Sequence, residues 1–128
     1  MLFRSDLSAG GAIGDTANWL ETDHTVSGTL HATASGSIWL REVTGNMNVD
    51  RITSSTGDVN LRAQLSIVDA STASGEPASK PAVDIFAQGS VSLTADVGAI
   101  GISGNDIDID SARGGTGTLA IEIGRAHV

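Results

Sequence analysis

Asp106, Asp108 and Asp110 alternate with Ile107 and Ile109, so an extended chain would carry three carboxylates on one face and two aliphatic side chains on the other. Calcium takes six to eight oxygen ligands and favours carboxylates. That ladder is therefore the place a metal would go, with calcium the ion to consider, although no metal or other cofactor is expected. The same acids equally suit a solvated outer face that keeps a β surface from pairing with other chains. The loops that announce calcium elsewhere are missing: Gly114-Gly-Thr-Gly-Thr-Leu119 has Leu where a nonapeptide roll needs Asp, and no EF-hand spacing occurs.

Other chemistries find less. His24 and His31 have no histidine counterparts in the related segment further on, where Ser111 and Ala120 stand near the matching places, so they read as surface groups and not as a dyad. There is no Gly-x-Ser-x-Gly elbow, His-Glu-x-x-His helix or Gly-Lys-[Ser/Thr] loop. Gly98, Gly101 and Gly104 lack the Gly-x-Gly-x-x-Gly spacing of a dinucleotide turn and read as turn glycines. Trp39 lies between apolar Ile38 and Leu40 and should point outward beside Arg41, near His31 in the pattern. An exposed Trp can stack on a sugar or a partner, which makes Trp39 and Arg41 the candidate contact residues. The chain is expected to be non-catalytic.

The elements that must hold these residues show as repeats. Gly11-Ala-Ile-Gly-Asp-Thr-Ala-Asn-Trp-Leu-Glu-Thr-Asp23 aligns without a gap on Gly98-Ala-Ile-Gly-Ile-Ser-Gly-Asn-Asp-Ile-Asp-Ile-Asp110, with six of thirteen residues identical. This defines a long repeat over 11–97 and a second copy starting at 98. Within it, a Gly-x-apolar-x-apolar motif recurs at Gly28, Gly36, Gly45, Gly57, Gly89 and Gly117. Period-two alternation is the mark of a half-buried strand, and a leading Gly permits the positive φ of a tight corner. Helical spacing is sustained nowhere, so almost no helix is expected. Residues 69–84 break the pattern with Pro77, Pro81 and the only lysine, Lys80, and read as a lateral loop.

Composition fits this picture. Gly, Ala, Ser and Thr supply 59 of 128 residues, and the aromatic residues are Phe3, Trp19, Trp39 and Phe86 alone. Short strands, glycine corners and few aromatics predict an all-β right-handed parallel β-helix, with coils stacked at about 4.8 Å. Leu30, Ile38, Leu40, Val49, Val59, Leu61, Val91 and Leu93 should then line its core. The alternative is an immunoglobulin-like β-sandwich, whose strands also recur every 8–12 residues. The net charge of -8 repels phosphate and excludes nonspecific nucleic-acid binding. No run is long and apolar enough for a membrane span, and the first ten residues carry no apolar signal segment. The absence of cysteine removes disulfides and thiol chemistry.

The Gly-Ala-Ile-Gly segments, the following Asn-x-[Leu/Ile]-[Glu/Asp]-x-Asp, Gly28-Thr-Leu, Gly36-Ser-Ile-Trp-Leu and Gly57-Asp-Val-Asn-Leu-Arg-Ala resemble the repeat regions of filamentous-haemagglutinin-like bacterial surface exoproteins. The likeness runs from Ala9 to Ile121. It implies a secreted or cell-surface β-helical stalk for structure and display, continuing into further repeats of its own chain. Through the parent protein it would meet glycans or proteins of a host or neighbouring cell. The alternative function is a module that binds or cleaves an extracellular polysaccharide, although two acids on one strand face do not give the opposed geometry that glycoside cleavage needs. Residues 122–128, Glu-Ile-Gly-Arg-Ala-His-Val, resemble a translated sequencing adapter, so the native repeat region is expected to be 1–121. Arg125 and His127 are given no role.

Overall fold

The computed structural model describes residues 4–24, 28–70, 83–103, 107–111 and 118–123. Eleven strands follow one another: β1 (Arg4–Ala9), β2 (Leu20–Thr22), β3 (Thr29–Ala34), β4 (Ile38–Glu42), β5 (Met47–Ser54), β6 (Val59–Ala63), β7 (Ile67–Asp69), β8 (Ile85–Ala87), β9 (Val91–Ala95), β10 (Ile109–Asp110) and β11 (Leu119–Ile123). None of the described residues is helical. This follows from strict alternation: β4, β6 and β9 each place every second residue inward.

The strands deal out alternately into two sheets. One has the order β1-β3-β5-β8-β10, with β7 also pairing β5; the other runs β11-β9-β6-β4-β2. Every named pairing is parallel. Each coil thus contributes to one sheet, turns a corner, contributes to the other and returns one layer further on. The chain is an all-β parallel β-helix. A sandwich of the immunoglobulin kind is built from antiparallel strands, and no antiparallel strand pair exists among the described residues.

Register makes columns. In the second sheet Ile38, Val59 and Val91 stack, as do Leu40, Leu61 and Leu93. In the first, Leu30 meets Val49, and Ala32, Ile52 and Ile85 align. All eight residues expected to line the core are fully buried. Each such aliphatic side chain contributes about 1.5–3 kcal/mol by leaving water. A second ladder runs along the corner before the second sheet: Ser37 Oγ accepts from Asp58 N–H at 3.0 Å, Asp58 Oδ1 from Ser90 N–H at 2.8 Å, and Ser90 Oγ from Thr118 N–H at 2.9 Å. The small polar residues of the sequence therefore satisfy backbone groups that the corners leave without sheet partners.

The corner glycines work differently from the expectation. Positive φ is found at Gly14, Gly45 and Gly101, so of the motif glycines described only Gly45 uses it. Gly57 is required by space: a Cβ there would lie 2.7 Å from Ser37 N, because adjacent coils touch backbone to backbone at this corner. The matching glycines of the two copies both have positive φ, Gly14 at 69° and Gly101 at 80°. Their placement differs. Ile13 bridges Ile38 in the second sheet, whereas Ile100 bridges Ile67 beside β7.

Of residues 69–84, those from 71 to 82 lie outside the described residues. The two ends belong to the packed coil: Asp69 closes β7, and Asp84 is buried just before β8. At the far end, β11 includes Glu122 and Ile123, the first two residues of the adapter-like stretch.

Candidate functional site

Three groupings of polar side chains stand out, on the outer face of the second sheet, at the first coil's interior, and at the corner before β8.

On the outer face, Trp39 and Arg41 project from β4 with Ile38, Leu40 and Glu42 turned inward. Trp39 is half-buried, in register with Asn60, and Arg41 with Arg62. The expected proximity of Trp39 to His31 is not found. His31 sits on β3 in the other sheet, its Nδ1 3.2 Å from Asp50 Oδ2, because the corner at 35–37 separates β3 from β4. Arg41 shares a cleft with Trp19 instead. Gly14 occupies a site where a Cβ would come within 2.7 Å of Trp39 O, and the chain then leaves the sheet in a tight turn. In that turn Asp15 Oδ1 accepts from the N–H groups of Ala17 and Asn18, both at 2.8 Å. The chain returns at Leu20 opposite Leu40. The excursion sets Trp19 at the wall of a cleft of about 250 Å³ lined by Ala17, Asn18, Trp19, Glu21, Arg41 and Arg62. Glu21 lies 3.9 Å from Arg41, and Asp96 2.8 Å from Arg62. An indole beside two guanidinium groups offers stacking and charge-assisted hydrogen bonds to a planar or anionic group.

Inside the first coil, Glu42 holds an inward place in line with Ala63. Its carboxylate is fully buried. Such a charge is costly unless donors surround it, and here they do. Thr22 Oγ1 donates to Oε2 at 2.7 Å, His24 N–H to Oε1 at 2.6 Å, and His24 Nδ1 lies 2.8 Å from Oε2. On the ring's other side, His24 Nε2 lies 2.7 Å from Ser5 Oγ. The His24 side chain is 12% exposed. Reading the histidines as surface groups is thus corrected for His24: the backbone after β2 turns its ring over the buried acid. The signal available in sequence was Glu42 itself, the third member of an inward series begun by Ile38 and Leu40.

At the corner before β8, Asp84 is 1% exposed and its Oδ1 has no hydrogen-bond partner. Oδ2 accepts from Asp108 N–H at 2.9 Å. Burial, with the nearby Asp69 and Asp108 carboxylates, pushes its pKa up to about 6, against the pull of the Asp108 N–H. A proton on Asp84 lets it donate to Asp69, which two ionised carboxylates cannot do. Of the proposed calcium ligands, Asp106 lies outside the described residues; Asp108 faces this corner, and Asp110, on β10, pairs with Phe86 of β8. Among the described residues no group of three His, Cys, Asp or Glu side chains is placed to hold a metal ion. No described helix is long and apolar enough to cross a membrane. Comparison with protein-family models, curated proteins and solved structures found no match for this chain.

Proposed function

We propose that the chain is a structural and display segment of a secreted or cell-surface, adhesin-like repetitive exoprotein. What supports this is the continuation of the core columns onto β11, whose side chains in those columns stay half exposed. Leu119 and Ile121 lie in register over Val91 and Leu93, yet are 50% and 47% exposed. Solenoid coils bury such residues against a neighbour, and terminal coils without a polar cap associate. These side chains form a seat for a further coil, as the likeness to adhesin repeats implies. Sedimentation of the isolated chain tests the reading: concentration-dependent self-association that Leu119→Lys and Ile121→Lys together suppress is expected. A dilute monomer with a sharp two-state melt would overturn it.

A second reading is favoured by the cleft at Trp19. As a module binding an extracellular polysaccharide, the chain would set a sugar ring on the indole and an acidic substituent between Arg41 and Arg62. A glycan panel separates the readings, since a bare stalk retains none and a binding module loses its ligand on Trp19→Ala or Arg41→Ala.

A further inference from the structure

The Ser5, His24 and Glu42 chain goes beyond a role in display. Its polarity is set by chemistry. Glu42 already accepts from Thr22 Oγ1 and His24 N–H on its two oxygens, so His24 Nδ1 is assigned as the donor in the 2.8 Å contact. In the neutral ring Nε2 is then the acceptor, and the 2.7 Å contact is Ser5 Oγ–H donating to it. This order, hydroxyl to imidazole to carboxylate, activates a serine for attack on an acyl carbon.

Two further observations place a substrate. Ser5 and Leu7 share the inward face of β1, and β1 ends its sheet among the described strands. Beside Leu7 lies a hollow of about 450 Å³ whose walls include Ile13, Trp19 and Leu20. It is open, has Ser8 and Asn18 among its apolar walls, and meets the Ser5 strand at Leu7, so an acyl chain held on Ser5 could extend into it. The second is the position of β1 at the end of its sheet among the described strands. Ser35 N–H donates to Ala9 O, so Ser5, Leu7 and Ala9 direct their main-chain groups to β3. The alternation of a parallel ladder then turns Asp6 N–H away from β3, next to the serine, where it can meet a developing oxyanion.

We propose that Ser5, His24 and Glu42 form a hydrolytic site for carboxylic esters with an apolar acyl group. Ser5 Oγ attacks the carbonyl carbon as its proton passes to His24 Nε2. The tetrahedral intermediate collapses with loss of the alcohol, which takes that proton. Water, deprotonated by His24, then attacks the Ser5 ester, releasing the carboxylic acid and returning the proton to Ser5 Oγ. Ser5 and His24 are the catalytic residues; Glu42 is a positioning residue that holds the ring and its tautomer.

The test uses the whole chain with a fluorophosphonate probe and para-nitrophenyl butyrate and acetate, with circular dichroism to confirm that each variant is folded. The expected result is labelling at Ser5, located by mass spectrometry, and hydrolysis that favours butyrate. Ser5→Ala abolishes the label and lowers hydrolysis about 100-fold or more, as does His24→Ala. Glu42→Gln lowers kcat with KM held, a split that general loosening of the coil does not produce. Folded wild-type protein that takes no label, or Ser5→Ala protein that hydrolyses butyrate at the wild-type rate, overturns the proposal. Neither result bears on the rod reading, whose test is self-association.

Discussion

Glu42 and Asp84 are both acids shut away from solvent, the first at the end of β4 and the second at the corner before β8, and they differ in what surrounds them. Glu42 receives a hydroxyl, a main-chain N–H and an imidazole. Asp84 receives one main-chain N–H on Oδ2, has none on Oδ1, and faces two more carboxylates. Equal burial therefore has opposite consequences. The first acid is held by its donors and ties β2, β4 and the first strand together. The second, short of donors, takes up a proton as the pH falls through about 6.

The largest expected effect breaks the first member of the pair. Glu42→Ala leaves the Thr22 hydroxyl and the His24 N–H groups without their acceptor, and should cost about 3 kcal/mol in chemical unfolding. A loss below about 1 kcal/mol would mean that water replaces the carboxylate at no penalty. Asp84→Asn should act in the other direction. Asn keeps an acceptor for Asp108 N–H and supplies a donor toward Asp69, so stability at pH 7 should rise by about 1–3 kcal/mol.

The pH dependence sharpens the same contrast. Because the Asp84 pKa is raised from 3.8 to about 6, the folded state binds a proton more tightly than the unfolded chain. This contribution is fully present below 3.8 and is lost as pH rises through about 6. Thermal melts between those limits should show a falling limb, and Asp84→Asn should flatten it. An unchanged limb would assign the slope to other groups.

Smaller effects follow. Thr22→Val removes one of three donors to Glu42 and should cost about 1 kcal/mol, measured by the same unfolding curves. Calcium, if it binds at the Asp108 corner, would do for Asp84 what the donors do for Glu42. At a concentration equal to its Kd it would add only about 0.4 kcal/mol, seen as a melting shift that EDTA reverses. Absence of any shift at saturating calcium removes the metal from consideration.

The strand core was legible because Leu30, Ile38, Leu40, Val59 and Leu61 alternate with polar residues, and alternation alone fixes which face is inward. The same rule placed Trp39 outward. Glu42 was legible in position but not in partners, since the groups that satisfy it come from the preceding coil and depend on the stagger between layers. Trp19 was hidden for a related reason. Nothing in its neighbours states that Gly14 passes within contact of Trp39 O and sends the chain out of the sheet. Asp84 sits at the margin of a Pro- and Ser-rich stretch, where composition suggests solvent and packing decides otherwise. The glycines divided between φ and close approach, a distinction that spacing does not carry.

The long repeat and the coil keep different time. Its first copy puts Ile13 on the second sheet, and its second puts Ile100 beside β7. An array built on this spacing would carry its copies around the shaft like the treads of a spiral stair. A flat surface laid against such a shaft would touch only some copies, leaving the others turned toward different neighbours. Copies that face different ways around the shaft are the geometry that a repeat out of step with its own winding gives.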